Sequence, residues 1–244
     1  MLPSGFDVLY EEGPCLVIAK PGGVLTQAPP GVDSLEIRIK QFLKTRDQKP
    51  GNVYLATLHR LDRPVSGVMV FAKHVRAARR LASQFQNRTV QKTYWAWVEG
   101  PVDPLTGTWT DYVRKVPDIA RAEIVDDQHP DGRIAVLHYR VLGVQDGVSW
   151  LEIELETGRM HQIRLQAGHR GHPIVGDVLY GARLPFGPQT AEPRERCIAL
   201  HAQSLRFLHP MTCVPVCQTA PLPAAWSALF MGSPNPIASR QPPT

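Results

Sequence analysis

Four cysteines in 244 residues, Cys15, Cys197, Cys213 and Cys217, are too few and too scattered for a disulfide scaffold, and a reducing compartment fits best. No charged segment followed by an apolar stretch opens the chain, which argues against a secretory signal. No apolar run approaches the roughly 20 residues needed to span a bilayer. A cytoplasmic protein without membrane contact is therefore expected. There is no Gly-rich dinucleotide fingerprint, no P-loop and no internal repeat.

What is present is ordinary globular composition, 43% apolar and 20% charged, with a formal net charge of +5. Such a basic balance suits a polyanionic partner without requiring one. Residues 6–28 alternate apolar runs with turns and read as a hairpin. Asp33 three positions before Glu36 has capping spacing, and Leu35, Ile39, Phe42 and Leu43 share a helical face, predicting a helix over 34–45. Val68–Ala72 reads as a buried strand. The helix after it should turn Val75, Ala78, Ala82 and Phe85 inward and Arg76, Arg79 and Arg80 outward.

Further strands are expected at 92–99 and, as hairpins, up to about 147. Leu151, Ile153 and Leu155 alternate with glutamates as in a half-buried strand, and helical spacing begins at Met160. Residues 183–196 read as a loop, and 232–244 as a disordered tail behind one domain over 6–231. Strands and helices mix without regular alternation, which favours α+β.

Two segments concentrate chemistry. His59-Arg60-Leu61-Asp62-Arg63-Pro64-Val65-Ser66-Gly67 places a carboxylate between arginines before a buried strand. Gly158-Arg159-Met160-His161-Gln162-Ile163-Arg164, continuing through His169, Gly171-His172-Pro173 and Gly176-Asp177 to Tyr180-Gly181, sets basic and amide groups at a helix start, where backbone N–H groups suit phosphate. Read singly, each is equally compatible with a surface ion-pair cluster or a solvated, capped helix.

Together with Lys92-Thr93-Tyr94, these segments resemble the RluA-type pseudouridine synthase family, from about Val8 to Pro223, with Lys20-Pro21, Leu200-His201-Ala202 and His209-Pro210 included. Val65, Met160 and Gln166 depart from it, standing where threonine, threonine and histidine are common. The resemblance implies an α+β catalytic fold with a mixed, largely antiparallel sheet, helices on its faces and a cleft. Asp62 would be the catalytic carboxylate, Arg164 its partner and Tyr94 the active-site tyrosine, and no cofactor or metal would be needed. Some relatives carry an N-terminal S4 module, which is expected to be missing because only five residues precede Phe6.

Isomerising uridine breaks an N-glycosidic bond and rejoins uracil through C5. A carboxylate can act as nucleophile or stabilise a cationic sugar, and a nearby guanidinium keeps it ionised in a dry pocket. The base must be flipped out of its stem, and Arg60, Arg63 and His161 are candidates to hold the flanking RNA. The RNA would be ribosomal or transfer RNA, chosen through insertions such as 101–135 and 183–196. A monomer with no obligate protein partner is expected.

Three other readings carry their own signatures. A nucleoside hydrolase would release free uracil. An RNA-binding module would need the basic surface but not Asp62 beside Tyr94 and Arg164. A zinc protein would draw on nine histidines and the Cys213/Cys217 pair.

Overall fold

The computed structural model describes residues 5–230, so the expected tail at 232–244 lies outside the described residues. The chain runs β1 (Asp7–Glu12), β2 (Cys15–Lys20), α1 (Leu35–Arg46), β3 (Ala56–Thr57), β4 (Ser66–Ala72), α2 (Val75–Gln86) and β5 (Gln91–Glu99). It continues through β6 (Thr106–Lys115), β7 (Ala122–Val125), β8 (Arg133–Gln145), β9 (Val148–Leu155), α3 (Gln162–His169), β10 (Leu200–Leu208), β11 (Pro215–Thr219) and α4 (Ser227–Phe230). All strands join one 11-stranded sheet in the order β1-β2-β4-β10-β5-β9-β8-β6-β7, with β3 on β4 and β11 on β10. Among the described strands only the β4–β10 pairing is parallel, so the expected α+β class with a mixed, largely antiparallel sheet is what is found.

Local chemistry explains the elements and corrects some expected boundaries. Ser34, not Asp33, caps α1 by accepting from Ile37 N–H, while Asp33 pairs with Arg38. Leu35, Ile39 and Leu43 are buried as expected. In α2 the buried residues are Ala77, Ala78 and Leu81, whereas Val75 and Ala82 face solvent. Alanine carries too little apolar surface to set the phase of a helix, and Leu81 decides it. The predicted loop over 183–196 contains one short turn of helix, Pro193–Glu195.

The central junction is the tight parallel contact of β4 with β10, where His201 faces Ser66 and Ala202 faces Gly67. A Cβ on Gly67 would lie 2.3 Å from the Ala202 carbonyl oxygen, and its φ of +130° is one that only glycine adopts readily. The buried His201 Nε2 lies 3.2 Å from the Ala220 carbonyl, so that nitrogen carries the proton and Nδ1 accepts from the Ser66 hydroxyl at 2.8 Å. Gly67→Ala should therefore lower stability by roughly 3 kcal/mol in urea titration, well beyond an ordinary surface change.

Burial holds His201 down at about 4, with a small opposing effect of its bond to Ala220. The unfolded chain takes up this proton near pH 6.5 and the folded chain does not, so stability is lost as pH falls through that interval. Urea titrations at pH 7 and pH 4 should differ by roughly 3 kcal/mol from this residue alone. His201→Asn should flatten that dependence.

Candidate active site

Asp62 lies on the connection from β3 to β4, and an earlier segment grips that connection. Thr26 Oγ1 donates to Leu61 O at 2.8 Å and accepts from Leu61 N–H at 3.2 Å. Gly23 N–H donates to Arg63 O at 2.8 Å. Lys20, 1% exposed, donates from Nζ to Pro21 O, Arg63 O and Val65 O at 2.9, 3.2 and 2.7 Å. Burial pulls this ammonium down to about 7, and nearby Asp62 opposes the shift. Three carbonyl oxygens around one ammonium match its three donors. On the other flank, His59 Nε2 accepts from Val70 N–H at 3.1 Å, and its ring stacks on Phe85 at 4.8 Å. The first residue of the His-Arg-Leu-Asp run is thus a structural acceptor.

From the opposite side α3 delivers Arg164, 5% exposed. Its Nη1 donates to Asp62 Oδ2 at 3.2 Å, while Nε and Nη2 form a two-point pair with Asp177 at 2.6 and 2.8 Å. Burial disfavours the guanidinium charge, but Asp177 and then Asp62 outweigh it and raise its pKa above the ordinary value. Asp177, 1% exposed, belongs to the second chemistry-bearing segment of the sequence but was given no role there. The signal was there in principle, since a buried arginine that faces a reactive carboxylate needs a second acceptor to hold its direction.

His161 precedes α3 with a left-handed φ of 52°, so the helix begins at Gln162 and not at Met160. Gln162 Oε1 closes the turn by accepting from Thr157 Oγ1 at 2.8 Å and Arg159 N–H at 3.0 Å. Gln162 to Ala167 are all buried, and the start of α3, from Gly158 to Arg164, lines the cavity. His161 Nδ1 meets Tyr180 Oη at 2.9 Å and Nε2 lies 3.7 Å from Asp62 Oδ2. Burial lowers its pKa against the pull of Asp62. At 9% exposure the ring faces the carboxylate rather than solvent.

Tyr94, on β5 beside Ala202 of β10, reaches the same cavity. Burial, and secondarily Asp62, raises its pKa well above the usual phenol, so any proton transfer there begins from the neutral hydroxyl. The cavity holds about 1080 Å³ and gathers Asp62, Tyr94, Arg164, His161 and Arg60. Arg63 is not among its lining residues; the connection turns that side chain elsewhere while its carbonyl binds Lys20. Lys92, Arg88, Lys115 and Arg159 also line it, together with Glu154 and Glu156. Among the described residues no three His, Cys, Asp or Glu side chains converge as metal ligands would.

All three departures have a visible setting. Val65, buried on the Asp62 connection, and Met160 both line the cavity. Gln166, the third, is fully buried and bonds from Nε2 to Asp111 Oδ2 at 2.6 Å and to Trp109 O and Ala135 O at 3.2 Å. It ties α3 to β6 and β8, away from the cavity.

A half-buried carboxylate between a fixed guanidinium and an aromatic ring, in a cavity ringed by cations, defines the site of an enzyme suited to nucleic-acid chemistry. The sequence profile of the RNA pseudouridylate synthase family matches residues 14–169. An uncharacterised RNA pseudouridine synthase of Synechocystis is 34% identical over 92% of this chain and 68% of its own length. The ribosomal large subunit pseudouridine synthase D of Xanthomonas campestris is 39% identical over 89% of this chain and 66% of its own. The chain thus spans about two thirds of the length of these relatives. In the solved structures, human RNA pseudouridylate synthase domain containing 4 shares the fold, with a TM-score of 0.76 at 22% identity over 92% of both chains. The chain belongs to the RNA pseudouridylate synthase family, and it is an RNA pseudouridine synthase, an isomerase.

Asp177→Asn should release the far side of Arg164 and strand a buried charge, at a cost of about 3 kcal/mol by urea titration. Single-turnover product formation should fall with it. A wild-type rate would show that Arg164 needs no such tether.

Proposed function

We propose that Asp62 is the catalytic carboxylate of uridine isomerisation, with Arg164 as its charge partner and Tyr94 as the ring against which uracil lies. The observation that carries this reading is the Asp62–Arg164–Asp177 chain of contacts opening into a cavity that Tyr94 also lines. Arg164 aims Asp62, so one carboxylate oxygen is available to attack or stabilise the sugar at C1′. The freed uracil turns while held against Tyr94, then rejoins through C5, and its C5 proton is removed in the last step. The Tyr94 hydroxyl is placed to relay that proton.

The cavity exceeds the volume a single nucleoside needs, which supports entry of a flipped uridine with parts of its neighbours. Arg60, exposed on its rim, is a candidate for the flanking RNA, whereas His161 acts on Asp62 from within. Relatives named for the ribosomal large subunit make its RNA the first substrate to test, ahead of transfer RNA. We place the protein in the cytoplasm as a monomer, with residues 6–231 acting as one catalytic unit and no cofactor. No helix among the described residues is long and apolar enough to cross a membrane.

Asp62→Asn should abolish single-turnover pseudouridine formation on large-subunit RNA from pseudouridine-depleted cells and leave RNA affinity within a few-fold of wild type, because phosphate contacts dominate binding. Tyr94→Phe should keep affinity and slow the reaction. A near-normal rate for Asp62→Asn would overturn the assignment.

A further inference from the structure

Among the described residues most cations withdrawn from water have partners, and half-buried Arg63, whose side chain has none, does not line the cavity. Lys20 has three carbonyls, Arg164 two carboxylates, Arg170 pairs with Asp111, and Lys73 with Glu11. Lys92 is different. Half-buried on the wall of the cavity, its Nζ would lie 3.7 Å from a Cβ on Gly158 across the gap, and its side chain makes no hydrogen bond or ion pair. Its close charged neighbour is another cation, Arg88, and the His59 ring beside it is held neutral, first by burial and then by Lys92 itself. Glu154 and Glu156 line the same cavity, yet Glu156 is engaged by His138 and neither pairs with Lys92.

Arg88 adds an independent observation. It follows the last turn of α2 with a φ of 58°, at a position where helices prefer glycine, and its N–H closes the turn on Phe85 O. A non-glycine residue there carries backbone strain. Its exposed side chain lines the cavity mouth without a partner. A strained arginine beside an uncompensated lysine is a preformed place for an anion.

We propose that Lys92 and Arg88 form the seat for a phosphate flanking the flipped uridine, a binding subsite distinct from the Asp62–Tyr94–Arg164 centre. The inference rests on the reading that the cavity takes RNA. Bases and ribose are neutral, so of the parts of an RNA only the phosphodiester supplies the missing negative charge. Placed there, it fixes the sugar of the target nucleotide from outside while Asp62 meets it from within.

The test is binding of the fluorescent pentaribonucleotide ApApUpApA, with each linkage in turn replaced by a neutral methylphosphonate. Neutralising one linkage next to the uridine should weaken wild type about tenfold, the worth of one charge-assisted hydrogen bond. Lys92→Met should weaken the unmodified RNA by about the same factor and leave that neutral-linkage RNA unchanged. Lys92→Arg should retain affinity for the unmodified RNA. Arg88→Gly should raise the melting temperature while weakening the unmodified RNA. Equal losses for Lys92→Met on charged and neutral RNAs, or a linkage effect only away from the uridine, would overturn the proposal. Because the readout is affinity, it stands apart from the rate measurement on Asp62→Asn, which judges the catalytic reading by itself.

Discussion

Everything at the centre of this molecule depends on one buried guanidinium. Arg164 is withdrawn from water and has two carboxylates to satisfy it, with the better geometry given to Asp177 and the longer single contact to Asp62. A symmetric sharing would hold Asp62 as firmly as Asp177 and leave it less free to meet a ligand. The asymmetry aims the arginine with one acid and leaves the other accessible. Lys20 adds a clamp, gathering the carbonyls of Arg63 and Val65 on the stretch that follows Asp62.

The sheet contributes by crowding. At Gly67 and Ala202 two parallel strands approach so closely that no side chain fits, and this fixes where the Asp62 connection ends and where β10 meets β5 with Tyr94. The Ser66–His201 bond and the Thr26–Leu61 pair then satisfy polar groups that the close approach buries. Rigid support below and a broad cationic rim above separate two tasks. The floor holds the chemical groups in place, and the rim can change its charges without disturbing them.

The departures from the family pattern fit this division. Gln166 replaces an imidazole with an amide, yet it serves to fasten α3 to the neighbouring strands. Met160 brings a flexible apolar side chain to the cavity, where its effect falls on the ligand. Gln162, by contrast, closes the turn that lets His161 adopt its left-handed backbone and face Asp62.

Much was legible in the sequence because it is carried by local pattern. Alternating apolar residues marked β9, the apolar run marked β4, and the motifs around Asp62, Tyr94 and Arg164 pointed to one site. Their resemblance to a known family supplied the pairing of Asp62 with Arg164, 102 positions apart, which spacing alone could not give. The phase of α2 was not legible, since its alanines bury nearly as well on either face. Nor were the tether from Asp177, the clamp from Lys20 or the unpartnered state of Lys92. Each is a matter of which charges lie near one another after folding, and Coulombic and hydrogen-bonding partners across a sheet leave no period in the chain. The sequence by itself determined the chemistry available and the class of fold; only the tertiary structure decided which cations were neutralised and which was left facing the cavity.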